Sequence, residues 1–568
     1  MEYILRLDMS KQSVTEEKVP AKYEDKGGRS ITSNLLYDEV PAGCDPLGPN
    51  NKIIFAPGLL GGTGASSSGR LSVGAKSPLT RGIKEANSGG TAGGYLARIG
   101  VRALVVEGEA NEGKKYILHI GEDRKTDLIE VDFEVNGAYE LINRLCDKWS
   151  DKIAVICVGP AGLNRFRGAS VIMSDPDFEL RFAARGGLGA VMGAKGLLAV
   201  IVDSPGKAQR NPVDKDKFNQ TVRKLNKLLI ESPKTKNQQM YGTASIVSAV
   251  NEMGALPTRN FSTGNFEGVE TLTGEALHNL IDKRGGKGRY GKRCMSGCII
   301  KCSNVVPDEK GNIIVSTLQY ETIGLLGSNC GFSSLDHVAH LNRLCNDIGL
   351  DTIETGAALG VAMEAGLVDF GDYDGAIELL EEVRKGTPTG KIIGNGALIT
   401  GQVLGVRRIP VSKGQAFPSY DPRALKGNGV TYATSPMGAD HTAGNAFGDR
   451  KTTDPLKKTE QVELSRKLQL RAAVLDLLGF CIFARPPLLA DPQLMVDMLN
   501  GMYGWDLNEE KLWQMGRDLL EIEWAFNERE GFTPGQDRLP EIFSMEPLPP
   551  TNSVFDVDQK EMAGLRDY

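Results

Sequence analysis

The most restrictive feature of this sequence is the glycine content of residues 58–100, which hold twelve glycines. Glycine destabilises a helix by about 0.5–1 kcal/mol per position relative to alanine, so this density excludes a helical segment. The neighbouring runs KIIFAPG, ALVVEG, IAVICVG and LLAVIV are short and rich in β-branched residues, which predicts strands. We therefore expect roughly the first 205 residues to be β-rich with glycine loops, starting from a strand in MEYILRLDMS.

The pattern changes after DSPGKAQRNPVD, where apolar residues recur at helical spacing. The clearest predicted helices are DKFNQTVRKLNKLLIES, LDHVAHLNRLCNDIG, DGAIELLEEVRKG, ELSRKLQLRAAVLDLLG and NEEKLWQMGRDLLEIEWAFNERE. The sequence thus predicts an α+β protein with a β-rich N-terminal domain, residues 1–207, followed by two mainly α-helical domains. These are residues 208–405 and 406–568.

Composition excludes several classes of protein. A formal net charge of −6 argues against a nucleic-acid partner. No secretory signal is visible, and no window offers the roughly 20 apolar residues of a membrane-spanning helix. We expect a cytoplasmic chain without a membrane partner, in which the nine cysteines are reduced.

Three of those cysteines, Cys294, Cys298 and Cys302, are spaced four residues apart in RCMSGCIIKCSN. In one regular helix the outer two would be separated by about 12 Å of rise, too far for one compact metal centre. Ser296 and Gly297 favour an irregular loop, which can turn three thiolates toward one point. Zinc usually takes paired CxxC units. Three close cysteines with one distant cysteine suit a [4Fe–4S] cluster better.

Spacing leaves three candidates for the distant ligand, Cys330, Cys345 and Cys481. Cys345 lies in a helical apolar stripe, which is typical of a core residue. Cys330 follows Glu321 by nine residues, and we consider two interpretations of it. It lines a substrate cavity or ligates the metal, or it is a small buried hydrophobic residue.

Six basic residues precede and enter the cysteine loop: Lys283, Arg284, Lys287, Arg289, Lys292 and Arg293. A solvated basic run is one interpretation. The others are compensation for an anionic cluster and a docking surface for an acidic electron carrier.

Several separated motifs, taken together, resemble the aldehyde:ferredoxin oxidoreductases, which are tungsten bis-pterin enzymes. GRLSVGAKSPLTRGIKEANSGGTAGGY and LRFAARGGLGAVMGAKGLLAV are similar to the two pterin-binding loops of the family. CMSGCIIKC occupies the position of its cluster loop, and NDIGLD and DLLGFC resemble its paired DxxGL motifs. YDPRALKG and YATSPMGADH resemble the segment that carries the active-site histidine.

The resemblance implies a β-rich base domain with two helical domains and the cofactor buried between them. It implies a tungsten (or molybdenum) bis-pterin, one [4Fe–4S] cluster and a Mg²⁺ ion bridging the pterin phosphates. It makes Cys481 the fourth cluster ligand beside Cys294, Cys298 and Cys302. The implied pterin-binding residues are Arg70, Lys76, Asn87, Gly89, Arg181, Phe182, Ala184, Arg185, Asn346, Leu350, Asp351, Asp476 and Phe480.

The sequence departs from the family pattern at several places. The cluster loop has CxxxC instead of CxxC, and Asn346 replaces the first Asp of DxxGLD, although Asp347 offers a substitute carboxylate. Phe480 stands where Leu is usual. Met437 and Ala443 replace a family Arg and Lys near His441, so the phosphate contacts there are either lost or supplied by others, such as Arg450 or Lys451. No EXXH bridging-iron motif is identified, which weakens the expectation of a metal-bridged dimer while a homo-oligomer stays an option.

The expected reaction oxidises an aldehyde, a small-molecule substrate, to a carboxylic acid. Electrons then pass through the cluster to ferredoxin or a small iron–sulfur electron-transfer subunit. His441, in the polar loop GADHTAG, and Glu321, in an apolar run that predicts a raised pKa, are the candidate catalytic residues. Two alternatives are the catalytic subunit of a benzoyl-coenzyme A type aromatic-ring reductase and a non-catalytic metal-cluster protein.

Overall fold

A computed structural model describes residues 2–149, 151–206 and 210–566. The chain divides into two compact units. The first unit comprises residues 1–236, 293–301 and 470–531. The second comprises residues 237–292, 302–469 and 532–568. The domain boundary predicted at residue 207 lies outside the described residues, and the one at residue 405 stays a prediction.

Two six-stranded sheets form the β part of the first unit. One has the strand order β2-β1-β6-β3-β4-β5 and the other β11-β10-β9-β12-β7-β8. Only the β1–β6 and β7–β12 pairs are parallel in the ladders that join these strands. The strands are β1 (Tyr3–Asp8), β2 (Ser13–Lys18), β3 (Ile53–Pro57), β4 (Leu71–Lys76), β5 (Ile83–Ser88), β6 (Val101–Glu107), β7 (Lys115–Ile120), β8 (Thr126–Val131), β9 (Ile153–Cys157), β10 (Val171–Ser174), β11 (Leu180–Ala183) and β12 (Leu197–Asp203).

One hydrophobic core joins the two sheets, because apolar side chains of both belong to a single buried cluster. The predicted β-rich N-terminal region is therefore confirmed, with β3, β6, β9 and β12 at the four predicted runs. The short helix Ala92–Arg98 lies within residues 58–100, so the prediction that their glycine content excludes a helix is wrong. The helices of this unit are Gly28–Glu39, Ala92–Arg98, Ala138–Trp149, Pro160–Leu163, Leu188–Ala194, Lys215–Glu231, Arg485–Ala490, Gln493–Tyr503 and Glu509–Arg529. Two further helices, Pro233–Tyr241 and Gln461–Leu478, contain residues of both units.

The second unit is mainly helical, as the sequence predicts. Its helices are Val247–Glu252, Gly274–Arg284, Tyr320–Leu326, Leu335–Ile348, Thr352–Glu364, Tyr373–Lys385, Pro388–Gly394, Ala397–Leu404, Lys426–Thr434, Ile542–Met545 and Gln559–Ala563. Its strands form a three-stranded and a two-stranded sheet: β13 (Arg289–Lys292), β14 (Ser303–Pro307), β15 (Ile313–Val315), β16 (Val411–Ser412) and β17 (Gln415–Ala416).

Small residues set the packing distance in this helical core. A Cβ atom on Gly356 would lie 2.6 Å from the carbonyl carbon of Leu325, so helix 352–364 packs directly on the backbone of helix 320–326. Helix 352–364 is buried along nearly its whole length. Across the described residues, no single helix is long and apolar enough to cross a membrane. The bent pair 461–478 and 482–490 alone has that length and composition.

A buried ion pair joins two helices of the first unit. Arg29 donates from Nε to Glu523 Oε1 at 2.8 Å and from Nη2 to Glu523 Oε2 at 2.6 Å. Ser33 Oγ donates to the same carboxylate at 2.9 Å. Charge–charge contacts of this kind survive burial only when the hydrogen bonds are complete, as they are here.

Replacing Glu523 by Gln should therefore lower stability strongly, because Arg29 keeps its charge and loses its main counter-charge. Breaking a buried pair of this kind costs about 3–5 kcal/mol. Calorimetric melting of the Glu523→Gln variant should show a reduced Tm. Glu521→Gln changes an exposed residue of the same helix and should leave the Tm unaltered. Equal melting of the two variants would contradict this assignment.

Candidate functional site

The cysteine loop belongs to the first unit from Arg293 to Lys301 and has no regular secondary structure. Gly297 and Lys301 adopt positive φ angles of 75° and 51°, which turn the chain back on itself. The predicted irregular loop is therefore present. It brings Cys294 and Cys298 into the electrostatic neighbourhood of Cys481.

The glycine- and serine-rich segment below this loop holds it in place through short contacts. Gly90 N donates to Cys294 O at 2.8 Å, and Ile299 N donates to Ser66 Oγ at 3.0 Å. Ser67 contacts both the cysteine loop and the DLLGFC segment. Its hydroxyl lies 3.5 Å from Cys298 Sγ, and its carbonyl accepts from Cys481 N at 2.7 Å. The loop and the DLLGFC segment are thus tied to the same few residues.

Gly89, predicted as a cofactor-binding residue, lies directly against Cys294. A Cβ atom at this position would come within 2.8 Å of Cys294 Sγ. Burial, followed by the nearby Cys298 and Cys481 thiols, raises the pKa of Cys294 to about 12, against the opposing charges of Arg181 and Arg70. Burial likewise raises the pKa of Cys481. The half-buried Cys294 and the buried Cys298 and Cys481 therefore offer three thiols that a metal cluster would ionise.

The remaining cysteines of interest are in the second unit. Cys302 and Cys345 are buried, and Cys345 is a core residue of helix 335–348 as predicted. Cys330 Sγ donates to Leu325 O at 3.3 Å within the helical core. These contacts are those of a core thiol and give no support to a metal or substrate role for Cys330. Among the described residues, no group of three His, Cys, Asp or Glu side chains is already drawn around one metal-ion position.

Arg70, Asn87 and Asp476 form a connected polar chain in the first unit. Arg70 Nη2 donates to Asn87 O at 2.6 Å, and Arg70 Nε donates to Asn87 Oδ1. Asn87 Nδ2 then donates to Asp476 Oδ1 at 3.1 Å. Residues predicted from two separate motifs therefore meet in one hydrogen-bonded array.

Sequence reasoning missed the charged residues behind this array. Glu85, two residues before Asn87, is buried and lies 3.5 Å from Asn87 Nδ2. Arg29 Nη1 donates to Asp476 Oδ2 at 3.2 Å, in addition to its pair with Glu523. Burial raises the pKa of Asp476, and burial together with the Asp476 charge raises the pKa of Glu85 to about 7. The signal available in the sequence was an acidic residue, Glu85, two positions before the predicted binding residue Asn87.

The second predicted pterin loop follows β11. Arg181 donates to Asp175 Oδ2 at 3.1 Å from Nε and at 2.7 Å from Nη2, so its charge is paired inside the unit. Phe182 is half-buried and packs against the core of the sheets. Ala184 O accepts from Ser170 Oγ at 3.3 Å, and the buried Arg185 begins the 3₁₀ turn Arg185–Gly187.

Lys76 was predicted to contact a pterin phosphate, but the structure gives it an internal partner. Its ammonium group donates to Glu530 Oε2 at 2.5 Å and to Cys44 O at 2.7 Å, and both charged side chains are buried. The ammonium charge of Lys76 is therefore paired within the first unit.

The first DxxGL-type motif lies at the junction of helices 335–348 and 352–364. Gly349 adopts a φ angle of 84°, and Leu350 N donates to Cys345 O at 2.9 Å. Asp351 is buried and caps the second helix, accepting from Ile353 N at 3.0 Å. Asn346 and Leu350 are also buried. Asp347 pairs with Arg384 at 2.9 Å, so it is not placed to substitute for Asn346.

Glu321 and His441 meet in the second unit. Glu321, in the first turn of helix 320–326, accepts from Ser419 N at 2.7 Å on Oε2. Its other oxygen, Oε1, lies 3.5 Å from His441 Nε2. Both side chains are mostly buried, at 14% and 19% exposure. The two candidate catalytic residues therefore form a carboxylate–imidazole pair, although 120 positions separate them in the sequence.

Aromatic rings and a second carboxylate surround this pair. The ring of Tyr420 lies 6.3 Å from the ring of His441, and Tyr320 lies 5.1 Å from Tyr420. Asp440 Oδ1 is 3.9 Å from His441 Nδ1 and accepts from Thr442 N at 2.9 Å. Within the described chain, His441 Nδ1 is buried and has no hydrogen-bond partner. A buried polar atom without a partner usually marks the place of a ligand or an ordered water.

The positions that depart from the family pattern near His441 are apolar and buried. Met437 is 1% exposed and Ala443 is 2% exposed. Arg450 stacks over the ring of Phe447 at 4.0 Å and donates to Phe447 O at 2.8 Å. Arg450 is therefore held locally, and its predicted compensating role stays untested together with that of Lys451.

Comparison with known families decides the class of the protein. Residues 4–204 match the model of the aldehyde ferredoxin oxidoreductase N-terminal domain, and residues 220–568 match that of domains 2 and 3. The chain belongs to the aldehyde ferredoxin oxidoreductase family. The family resemblance drawn from the separated motifs is confirmed.

Individual relatives agree over nearly the full length. The tungsten-containing aldehyde ferredoxin oxidoreductase of Thermococcus kodakarensis is 33% identical, covering 96% of this chain and 91% of that protein. An aliphatic sulfonate oxidoreductase, WOR-like subunit, of Pyrococcus furiosus is 25% identical over 80% of the chain and 76% of its own length. The active-site complex BamBC of benzoyl coenzyme A reductase has the same fold, with a TM-score of 0.82 and 19% identity, covering 99% of this chain and 93% of that one.

Glu85 gives a pH-dependent prediction. Its folded-state pKa of about 7 exceeds the ordinary value of 4.5. The contribution of protonated Glu85 to the stability of the fold is therefore fully present below pH 4.5 and is lost as the pH rises through 7. The Glu85→Gln variant should therefore have the wild-type free energy of unfolding near pH 4.5. At pH 8 its free energy of unfolding should exceed that of the wild type by up to about 3 kcal/mol, so its Tm should be higher. Melting curves at both pH values test this. The exposed Glu109→Gln should show no such pH-dependent difference, and a constant difference for Glu85→Gln would contradict the assignment.

Proposed function

We propose that this chain is a tungsten bis-pterin oxidoreductase that oxidises an aldehyde to a carboxylic acid and delivers the electrons through a [4Fe–4S] cluster to ferredoxin. The observation that carries the proposal is the Glu321–His441 pair, a buried proton acceptor beside a histidine whose Nδ1 has no partner in the described chain. Full-length similarity to tungsten-containing aldehyde ferredoxin oxidoreductases supports the choice of metal and substrate class.

The residues present fit such cofactors by their donor chemistry. Cys294, Cys298 and Cys481 offer three thiols in one unit, and Cys302 would complete the set of four. Asn87 and Asp476 offer oxygens to the N–H groups of one pterin, and Asn346 and Asp351 offer them to the other. The raised pKa of Asp476 indicates that its negative charge is under-compensated by the protein, which additional N–H donors would correct. A Mg²⁺ ion bridging the pterin phosphates stays a prediction.

When bound, the metal–pterin centre supplies an acceptor for two electrons and transfer of an oxygen that originates from water. The balanced reaction converts an aldehyde and water into a carboxylic acid, two protons and two electrons. Glu321 is positioned to take the proton that the water loses, because Ser419 N fixes Oε2 and leaves Oε1 toward His441. His441 Nε2 can share that proton with Glu321, so the proton stays away from the reacting carbonyl until the product leaves.

Glu321→Gln and His441→Gln should each lower kcat by about 10²–10⁴, since a general base of this kind contributes that range. Aldehyde oxidation with an artificial one-electron dye measures the loss independently of the natural electron partner. Metal and pterin contents should stay at wild-type levels. His340→Gln alters an exposed histidine of the same unit and serves as the matched control.

Full activity of both variants would remove the proposed roles. Absence of tungsten, molybdenum and pterin from anaerobically purified protein would instead overturn the proposed function and favour a non-catalytic cluster protein. Reduction of an aromatic coenzyme A thioester without aldehyde oxidation would favour the ring-reductase alternative.

Cys481→Ser should lower the iron content of the purified protein and weaken its electron paramagnetic resonance signal, because one of four thiolates is lost. Cys146→Ser changes a half-buried cysteine of the same unit and should keep both at the wild-type level. Equal iron contents in the two variants would exclude Cys481 as a ligand.

A further inference from the structure

A localised basic surface interrupts the acidic character of this protein. Residues 283–293 contain six basic residues and no acidic one, in a chain of net charge −6. Lys283, Lys287 and Arg289 are exposed. Arg284 instead forms two bonds to Asp336, at 2.6 and 2.7 Å, and fixes the end of helix 274–284. Arg293 is exposed as well but belongs to the first unit, and Lys292 is buried. We call the exposed basic residues of the second unit, Lys283, Lys287 and Arg289, the basic ridge.

An exposed aromatic ring lies within this ridge. Tyr290 is 42% exposed, and its ring lies 4.3 Å from that of His278, centre to centre, at an interplanar angle of 32°, while His278 packs edge-on against Tyr241 at 5.6 Å. The ring of Tyr290 is therefore held by other rings while part of it stays accessible. Tyrosine and arginine are both enriched in protein interfaces.

His278 also corrects one sequence observation. With Glu275 it does form a Glu–x–x–His spacing, in helix 274–284. Its Nδ1 atom lies 3.6 Å from Asp282, and its ring is covered by the two tyrosines. The histidine therefore acts as the support of Tyr290, with Asp282 as the acidic edge of the surface.

The strand that contains Arg289 and Tyr290 is followed directly by the cysteine loop in the chain. Arg289–Lys292 is β13, which forms the edge of the three-stranded sheet and pairs with β14. Tyr290 precedes Cys294 by four residues. Four extended residues span at most about 14 Å, so chain connectivity alone keeps the exposed ring close to the first thiol of the loop.

We propose that the basic ridge and Tyr290 form the docking surface for an acidic iron–sulfur electron-transfer protein. The inference rests on the proposed function and adds the position and charge of the partner's binding surface. Opposite charge speeds and orients the encounter, and the aromatic ring supplies an apolar centre for the contact. Each encounter moves one electron from the reduced enzyme to the oxidised partner, so two encounters follow each aldehyde oxidised.

The test uses the holoenzyme and a purified acidic [4Fe–4S] ferredoxin as the probe. Lys287→Glu combined with Arg289→Glu should raise the Kd for this ferredoxin at least tenfold at low ionic strength. The difference should shrink as salt is added, because exposed charges are screened. Tyr290→Ala should weaken binding with much less dependence on salt. Dye-coupled aldehyde oxidation should stay within twofold of the wild type in both variants.

Lys457→Glu combined with Lys458→Glu is the matched control, since it makes the same change of charge at exposed positions of the same unit. Equal loss of ferredoxin binding in the control, or unchanged binding in the ridge variants, overturns the proposal. So does ridge-dependent binding of a short DNA duplex that equals the binding of ferredoxin. Ferredoxin binding is measured without turnover. Absence of dye-coupled activity with every aldehyde would therefore refute the proposed function, whereas the binding data alone decide the docking surface.

Discussion

Direct contact between two backbones determines the arrangement of the first unit. A Cβ atom on Gly58 would lie 2.1 Å from Gly479 N, so only glycine allows the glycine loop to lie against the DLLGFC segment. Leu59 N and Leu60 N donate to Leu477 O and Leu478 O, both at 3.1 Å. The Asp476 carboxylate and the Cys481 thiol thereby sit at the two ends of one turn whose position the glycine loop sets. The glycine density that first constrained the fold thus has its reason at the candidate site.

Buried charge is the second determinant of this unit. Arg29 lies between Glu523 and Asp476, and one guanidinium cannot fully compensate two carboxylates together with the nearby Glu85. Desolvation then holds Asp476 and Glu85 partly toward their neutral forms, with a raised pKa for each. Buried acids with raised pKa values cluster at functional sites, where a ligand can complete the set of hydrogen-bond donors. The same residues lie on the strand and helix end to which sequence similarity assigns a pterin.

Local pattern predicted the elements well, and it failed where a side chain's partner is distant. The helix 335–348, its glycine end and the core position of Cys345 follow from spacing alone. The pairing of Lys76 with Glu530 joins residues 454 positions apart, and Arg181 turns to Asp175 instead of being left for a ligand. Asp347 is likewise taken by Arg384. Tertiary packing determines which carboxylate pairs with a buried cation. A motif therefore predicts the residue type at a position but not the partner of its side chain.

Arg70 links the two halves of the proposed chemistry in the first unit. It donates hydrogen bonds to the neutral Asn87 and also bonds the Cys481 side chain, whereas Arg181 pairs with Asp175. The charge of Arg70 lowers the pKa of Cys294, Cys481 and Asp476, opposing the effect of burial at each. A fixed cation shared by the thiols and by the carboxylate stabilises the anionic form of both. Protonation of the thiols and protonation of Asp476 are therefore coupled through the charge of one side chain, Arg70.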